Sequence, residues 1–320
     1  MSNKALLRHL EPITPFLQMD GVTEICINKP NEMYVEKRGE FIRYDVEEFD
    51  YHFLMTLAGL VAEFNQKDFP TPLLSSSLPD GERIQFVINP ACEKNNIICS
   101  IRRQQMRNMS LEDYVTNGAF DESTVAKSSD NQLHDFFHQQ NIYGFIKQAI
   151  HEKKNILISG GTGTGKTTFL NACLKYIPVN ERLITVEDTR EVNVTHPNVA
   201  HLLFNEEDKQ ISALNIFKTC LRLRPDRIFL SELRGAEVWP YLRAANSGHP
   251  GSLSTVHADT PEGAITQLVF MMQQAGSTSS EERIRDYVKT IVHVVIQLKR
   301  DAKRFMQVSD IWFEGENLRK

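Results

Sequence analysis

The fold is decided by Gly160-Gly161-Thr162-Gly163-Thr164-Gly165-Lys166-Thr167, which matches the phosphate-loop pattern G-x-x-x-x-G-K-[ST] at every required position. An apolar run over 155–159 precedes it and is typical of a buried strand, and 168–174 has the pattern of a helix. Glycines at such a junction let backbone N–H groups turn toward phosphate oxygens, and the helix N-terminus adds positive potential. The segment therefore predicts a nucleotide site that extends to Thr168, in which Lys166 reaches the β- and γ-phosphates and Thr167 binds magnesium.

Composition restricts the class of protein. A length of 320 residues favours about two domains. The net charge of −5 argues against a nucleic-acid surface along the whole chain, although a local basic patch is compatible with it. No apolar run approaches the roughly 18 residues of a membrane span, and the first 16 residues lack the apolar centre of a signal peptide. The five cysteines are scattered and form no C-x-x-C, so we expect reduced thiols in a cytoplasmic protein without a structural zinc site.

Patterning divides the chain into three segments. Residues 1–103 predict a small α/β domain, and the polar stretch 104–133 predicts a linker. The linker contains Ser110 and Asp113 at the spacing of a capping box, which predicts one short helix. Residues 134–320 predict a second domain in which strands and helices alternate around a mainly parallel sheet. Its predicted strands are 155–159, 183–186, 200–204, 227–231 and 252–256.

Carboxylates follow two of these apolar strands. Glu187 and Asp188 end one strand, and Glu232 ends another, at the edge where parallel sheets place ligand chemistry. We expect Glu232 to position or polarise the attacking water and Glu187 to help through water or magnesium. Ser231 occupies the place of the aspartate that usually precedes such a glutamate.

Two histidines lie near the last of the predicted strands. His257 stands at the carboxyl end of strand 252–256, where a neutral imidazole is able to report loss of the γ-phosphate. We therefore predict that His257 is a phosphate sensor. For His249 a structural role and a functional role are equally compatible with the sequence.

Four segments together resemble the secretion ATPase superfamily in order and spacing: GGTGTGKTT, TVEDTREV, RPDRIFLSELRG and GHPGSLSTVHA. They are similar to its phosphate loop, Asp box, second acidic strand and His box. The segments DGVTEICINKPNEMYVEKRG and SSSLPDGERIQFVINP look like the N-terminal domain of the type IV secretion traffic ATPases. The four-cysteine insertion common in the type II secretion and pilus-assembly members is missing. The resemblance covers nearly the whole chain.

This resemblance implies a RecA-like ATPase domain with a mainly parallel sheet, preceded by a smaller α/β domain. It also implies ATP and magnesium, a homohexameric ring, and a site between the two domains. The partners would be other ATPases and inner-membrane components of a secretion or conjugation machine, with peripheral contact at the cytoplasmic face of the inner membrane. Arg102 and Arg103 would reach the γ-phosphate, or would simply be a solvated strand end. Weaker candidates for that contact are Arg83, Arg190, Arg224 and Arg234.

Two other functions remain open from the sequence. A nucleic-acid motor of the helicase or recombinase type would share the ring but would show nucleic-acid-stimulated turnover. A non-hydrolysing scaffold would bind ATP only for assembly, and steady-state phosphate release distinguishes it from an enzyme. Intact Lys166, Thr167, Glu187 and Glu232 favour hydrolysis. The transported substrate, and whether the N-terminal domain is exchanged between subunits, are not specified by the sequence.

Overall fold

The computed structural model describes residues 3–103, 110–116, 130–303 and 305–319. These residues form two β-sheets with helices packed on them, which confirms the predicted α/β class. One sheet belongs to the N-terminal part and the other to the C-terminal part. No helix of the described residues is long and apolar enough to cross a membrane.

The N-terminal sheet is antiparallel, with strand order β3-β2-β1-β6-β5-β4. Its strands are β1 Val22–Ile27, β2 Glu32–Lys37, β3 Glu40–Asp45, β4 Leu73–Ser77, β5 Arg83–Ile88 and β6 Ile97–Arg102; its helices are α1 Asn3–Leu10, α2 Thr14–Gln18 and α3 Tyr51–Phe64. Arg38-Gly39 between two strand-like segments predicts a hairpin, and the structure confirms it: both residues have positive φ in the two-residue turn between β2 and β3. Strand β4 was not predicted, since its Leu-Leu-Ser-Ser-Ser sequence has little β-branched or aromatic character.

The C-terminal sheet has eight strands in the order β14-β13-β12-β7-β11-β10-β8-β9. They are β7 Ile156–Gly160, β8 Leu183–Glu187, β9 Val199–Leu203, β10 Arg227–Leu233, β11 Leu253–Val256, β12 Val294–Arg300, β13 Met306–Phe313 and β14 Glu316–Arg319. The six strands from β12 to β9 are parallel, which confirms the mainly parallel sheet. Strands β13 and β14 add an antiparallel edge that the sequence did not reveal.

Two helices precede the first strand of this sheet, and other helices follow most of its parallel strands. They are α5 Asp130–His138, α6 Ile142–His151, α7 Lys166–Leu174, α8 Ala213–Cys220, α9 Val238–Ala245, α10 Pro261–Gln274 and α11 Glu281–Ile291. Side-chain caps begin three of them: Asn141 accepts from the Gly144 N–H at 3.0 Å, Thr260 from the Gly263 N–H at 3.0 Å, and Ser280 from the Arg283 N–H at 3.5 Å. Packing of these helices on the sheet buries both of its faces.

The predicted linker is described only in part. Its residues 104–109 and 117–129 lie outside the described residues. The predicted short helix is α4 Leu111–Thr116, and its capping box is confirmed: the Ser110 N–H donates to Asp113 Oδ2 at 2.8 Å, and the Asp113 N–H donates to Ser110 Oγ at 3.2 Å. Helix α5 already begins at Asp130, inside the stretch predicted as linker.

The two parts of the chain share one apolar core. Val87, Ala91, Cys92 and Ile98 of the N-terminal sheet are buried in the same cluster as the residues beneath α8 and α9. Polar contacts add to this interface. The fully buried Arg182 donates to Asn28 Oδ1 at 2.6 Å, and it also donates to Asn198 Oδ1 and to the Leu223 carbonyl. The N-terminal sheet is therefore packed on the C-terminal sheet of its own chain.

A buried ion pair fixes the start of β10. Arg227 is fully buried, and its guanidinium donates to both oxygens of Glu181 at 2.7 and 2.9 Å. Removing one partner of such a pair leaves an uncompensated buried charge. We expect Glu181→Ala to lower the free energy of unfolding by about 3–5 kcal/mol in denaturant titrations. Glu281→Ala is the control, because Glu281 pairs with Arg285 on an exposed helix face. Equal losses of unfolding free energy in Glu181→Ala and Glu281→Ala would contradict the stabilising role of the buried ion pair.

Candidate functional site

The phosphate loop joins β7 to α7. Gly165 is the N-cap of α7 and has φ +91°, a left-handed conformation that glycine adopts without strain. Gly160 is required for a different reason, since a Cβ there would lie 2.9 Å from the Leu298 carbonyl of the neighbouring strand β12. The loop therefore takes the shape that the sequence pattern predicted, with the first turn of α7 facing its mouth.

Lys166 lies in the mouth of this loop. Its Nζ donates to the Gly160 carbonyl at 3.0 Å and to the Gly161 carbonyl at 3.3 Å, and it lies 3.2 Å from His257 Nδ1. Burial lowers the pKa of Lys166. The structure thus places the predicted sensor histidine next to the predicted phosphate-binding lysine, 91 residues away in sequence.

Glu232 lies on the other side of His257. His257 Nε2 is 2.7 Å from Glu232 Oε1, and Arg234 donates to Glu232 Oε2 at 2.6 Å. The histidine contact is close but not aligned as a hydrogen bond, so the buried Oε1 has no hydrogen-bond partner among the described residues. An oxygen of this kind is suited to accept a hydrogen bond from a water molecule.

Glu187 has a different environment from the one that the sequence suggested. It is fully buried, and its Oε1 accepts from Arg190 at 2.5 Å and from the Thr185 hydroxyl at 2.9 Å. Its Oε2 accepts from the N–H groups of Glu191 and Val192, each at 2.7 Å. Both oxygens are therefore engaged by donors of this chain, and they shape the loop 188–192.

Asp188 is the more accessible carboxylate of the pair. Its Oδ2 accepts from Arg234 Nη1 at 2.8 Å, so Arg234 links Asp188 to Glu232. Sequence reasoning noted Asp188 without assigning it a role, and it treated Arg234 as a weak candidate. The sequence signal that could have identified Asp188 is its position next to Glu187 at a strand end, because neighbouring residues there point in different directions.

The donor set fits a magnesium ion bound together with a nucleotide. Thr167 lies on the first turn of α7, is partly exposed, and makes no side-chain hydrogen bond within the described part of the chain. Its hydroxyl is a hard oxygen ligand of the kind that magnesium prefers alongside phosphate oxygens and water. The saturated contacts of Glu187 make it a poorer direct ligand.

The arginine pair lies elsewhere. Arg102 ends β6 and lines a cavity with Arg222 and Arg224, which precede β10. Because β10 and β7 run parallel, this cavity lies at the amino ends of the strands, whereas the phosphate loop lies at their carboxyl ends. Arg103 is directed away from Arg102, and its Nη1 donates to the Met19 carbonyl at 3.4 Å. Neither side chain lies at the phosphate loop of its own chain.

His249 also lies at the amino ends of these strands. Its Nδ1 is 3.0 Å from the Pro225 carbonyl, and burial lowers its pKa. This placement favours the structural role that the sequence left open for His249.

Comparison with known proteins shows which family the chain is similar to. Residues 7–316 match the family described as "Type II/IV secretion system protein". The type IV secretion system protein VirB11 of Bartonella henselae is 34% identical, over 97% of this chain and 93% of the relative. PtlH of Bordetella pertussis is 33% identical, over 95% and 94%. The crystal structure of the Brucella suis VirB11 ATPase in complex with sulphate superposes with a TM-score of 0.90 at 32% identity, covering 98% of this chain and 95% of that one.

The chain belongs to the type II/IV secretion system protein family. Together with the intact phosphate loop, this membership makes it an ATP-hydrolysing enzyme of the type IV secretion class, as the sequence predicted.

In this family member the Arg102 cavity has a volume of about 580 Å³. Arg83 and Lys67 also line it, so its charge is mainly positive. Glu24 is the carboxylate among its lining residues, and it accepts a hydrogen bond from the Ser100 hydroxyl. Burial raises the pKa of Glu24 to about 7, although Ser100 and the nearby Arg102 and Arg182 act in the other direction.

This raised pKa predicts a pH-dependent stability. The folded chain holds a proton on Glu24 between about pH 4.5 and 7 that the unfolded chain has lost, so native stability falls as pH rises through that interval. Glu24→Gln has no such titration. We expect it to gain about 2–3 kcal/mol relative to the native chain between about pH 4.5 and about pH 8, measured by unfolding at each pH. The exposed Glu40→Gln should show no such gain, and a pH-independent difference for Glu24→Gln would contradict the assignment.

Proposed function

We propose that this chain is the ATP-driven motor of a bacterial type IV secretion or conjugation machine, and that it works with magnesium as a homohexameric ring. The observation that carries the proposal is the contact of Lys166, His257 and Glu232 at the mouth of the phosphate loop. Full-length similarity to VirB11 and PtlH proteins supports the secretion role. The ring would energise machine assembly or substrate transfer at the cytoplasmic face of the inner membrane, through contacts with partner ATPases, inner-membrane components or lipid head groups.

In this proposal the residues 160–168 bind the triphosphate. Their N–H groups surround the phosphate oxygens, and the Lys166 amine neutralises charge on the β- and γ-phosphates. Thr167 would hold magnesium, which would supply further charge neutralisation when bound. Glu232 Oε1, which lies 2.7 Å from His257 Nε2, would orient the attacking water. Glu187 acts indirectly, by shaping the loop that carries Asp188.

His257 would act as the phosphate sensor. Its imidazole lies between the Lys166 amine and the Glu232 carboxylate, near the position that a γ-phosphate takes when Lys166 binds it. Binding of ATP would draw Lys166 away from His257 and free the imidazole to contact the phosphate. Release of phosphate would restore the contact seen in this structure.

Two variants test the assignments of Lys166 and Glu232. Lys166→Ala should lose both nucleotide binding and hydrolysis, because the amine and its phosphate contacts are removed. Glu232→Gln should still bind ATP while kcat falls about 100-fold or more, since the loop stays intact and only the water loses its base. Phosphate release and equilibrium nucleotide binding measure the two effects, with Glu262→Gln on an exposed helix face as the control.

Failure of Glu232→Gln to slow phosphate release would remove Glu232 from the mechanism. Absence of steady-state hydrolysis by the native chain would favour an ATP-binding scaffold. Strong stimulation of hydrolysis by nucleic acid would favour the helicase-like alternative.

Arg102 would complete the site of a neighbouring subunit. Its cavity lies at the amino ends of the strands, away from the phosphate loop of its own chain, so contact with a nucleotide requires a second copy. Arg83, Arg102 and Arg222 provide the cationic charge that a γ-phosphate needs, whereas Arg224 is paired with Glu36 and Asp226. This arrangement makes ring formation a condition of full activity.

Mixed rings test this placement. Alone, Arg102→Ala chains should be weakly active and Lys166→Ala chains inactive. Mixed rings should recover part of the ATPase activity, because some interfaces then pair an intact arginine with an intact phosphate loop. Mixing Lys166→Ala with Glu232→Gln is the control. It should give no recovery, since each of these substitutions disables the phosphate-loop site of the chain that carries it. No recovery in the first mixture, with rings confirmed by electron microscopy, would show that Arg102 does not act between subunits. Arg103→Ala should change activity less, because Arg103 bonds the Met19 carbonyl.

A further inference from the structure

Arg190 joins the N-terminal part of the chain to the buried carboxylate of Glu187. Its Nε lies 3.3 Å from Glu93 Oε1, in the loop between β5 and β6. Its Nη1 donates to Glu187 Oε1 at 2.5 Å and to the Val192 carbonyl at 2.9 Å. The planar guanidinium has donors in a fixed geometry, so a shift of Glu93 acts directly on the orientation of the donor that holds Glu187.

The loop that carries Glu93 is held in place by the packing of the N-terminal sheet. Ala91 and Cys92, immediately before Glu93, are fully buried in the core that both parts share. The Leu203 N–H donates to the Ala91 carbonyl at 2.8 Å, and the next residue, Phe204, donates to the Glu187 carbonyl at 2.9 Å. Glu93 is therefore positioned by packed backbone although its own side chain is half exposed.

Arg190 supplies the positive charge at Glu187. The other titratable side chain on this side is His201, whose Nδ1 lies 2.7 Å from the Thr185 hydroxyl that also bonds Glu187. Burial lowers the pKa of His201 to about 4, so it is neutral at physiological pH. Among the described residues, Arg190 is the cation that forms an ion pair with Glu187.

Contacts continue from Glu187 to the phosphate loop. The neighbouring Asp188 bonds Arg234, and Arg234 bonds Glu232. Glu232 contacts His257, which contacts Lys166. A change in the loop 188–192 would therefore move Asp188 and Arg234, and with them the carboxylate of Glu232.

From these contacts we propose that Arg190 is a positioning residue that couples the placement of the N-terminal part, through Glu93, to the rate of ATP hydrolysis. The inference rests on the proposed function in one respect, namely that hydrolysis occurs at the phosphate loop with Glu232. It assigns Arg190 a role distinct from contact with the nucleotide, because its guanidinium is already engaged by Glu93, Glu187 and the Val192 carbonyl. Movement of the N-terminal part by a partner would then change turnover without changing the nucleotide contacts.

A double-mutant cycle in the full-length protein tests the coupling. The variants are Glu93→Gln, Arg190→Gln and the two combined, with Glu48→Gln as the control because Glu48 is an exposed carboxylate of the N-terminal part without an ion pair in the described structure. The measurements are kcat, KM for ATP and Tm. We expect Glu93→Gln to lower kcat about three-fold or more with KM little changed, and to have no further effect when Arg190 is already replaced. Glu93→Gln should leave Tm almost unchanged, since a half-exposed ion pair contributes little to stability.

Arg190→Lys gives a second measurement. It keeps the charge but loses the fixed fork, so its kcat should lie between those of Arg190→Gln and the native chain. Equal effects of Glu93→Gln with and without Arg190, an unchanged kcat in Glu93→Gln, or a parallel fall in Tm would each overturn the coupling. Loss of hydrolysis in Lys166→Ala reports on the proposed site independently, so failure of the coupling and failure of the proposed function are distinguishable.

Discussion

Strand order is the constraint on which the site depends. Strand β11 lies between β7 and β10, and all three run parallel, so their carboxyl ends meet at one edge. His257 follows β11 and is thereby placed between Lys166, after β7, and Glu232, on β10. No local feature of the sequence brings these three side chains together. A different strand order would separate these three side chains. The candidate site therefore lies at the carboxyl ends of the parallel strands, where ligands of such sheets bind.

Charge balance at that edge follows from the same arrangement. A buried lysine amine is costly unless oxygen acceptors surround it, and the carbonyls of Gly160 and Gly161 provide them before any phosphate is bound. Arg234 joins the acidic residues that would otherwise repel each other, Asp188 and Glu232. The site is thus held together by its own contacts, and a nucleotide would exchange them for phosphate contacts of similar kind.

The features that the sequence predicted well are local ones. The phosphate loop, the hairpin at Arg38-Gly39 and the capping box at Ser110 each depend on residues within a few positions of one another. Most of the features that it missed depend on long-range pairing. Strand β12 begins with the β-branched run Val294-Val295-Ile296, a local signal that the sequence reading passed over, whereas β13 and β14 carry mixed polar and apolar residues and depend on pairing with β12. The saturation of Glu187 and the separation of Arg102 from Arg103 likewise follow from which side of a strand each residue faces and what packs there.

The shared apolar core has a consequence for dissecting the molecule. Ala91, Cys92 and Ile98 fill the same cluster as Phe217 and Tyr241, so the two sheets bury each other's surface within one chain. A fragment that begins after residue 103 would leave Phe217 and its neighbours facing water, and Arg182 would lose its bond to Asn28. Such a fragment would be prone to aggregation, and its inactivity would report on folding rather than on the arginines it lacks. Point substitutions in the intact chain are therefore the informative way to separate the contribution of each part.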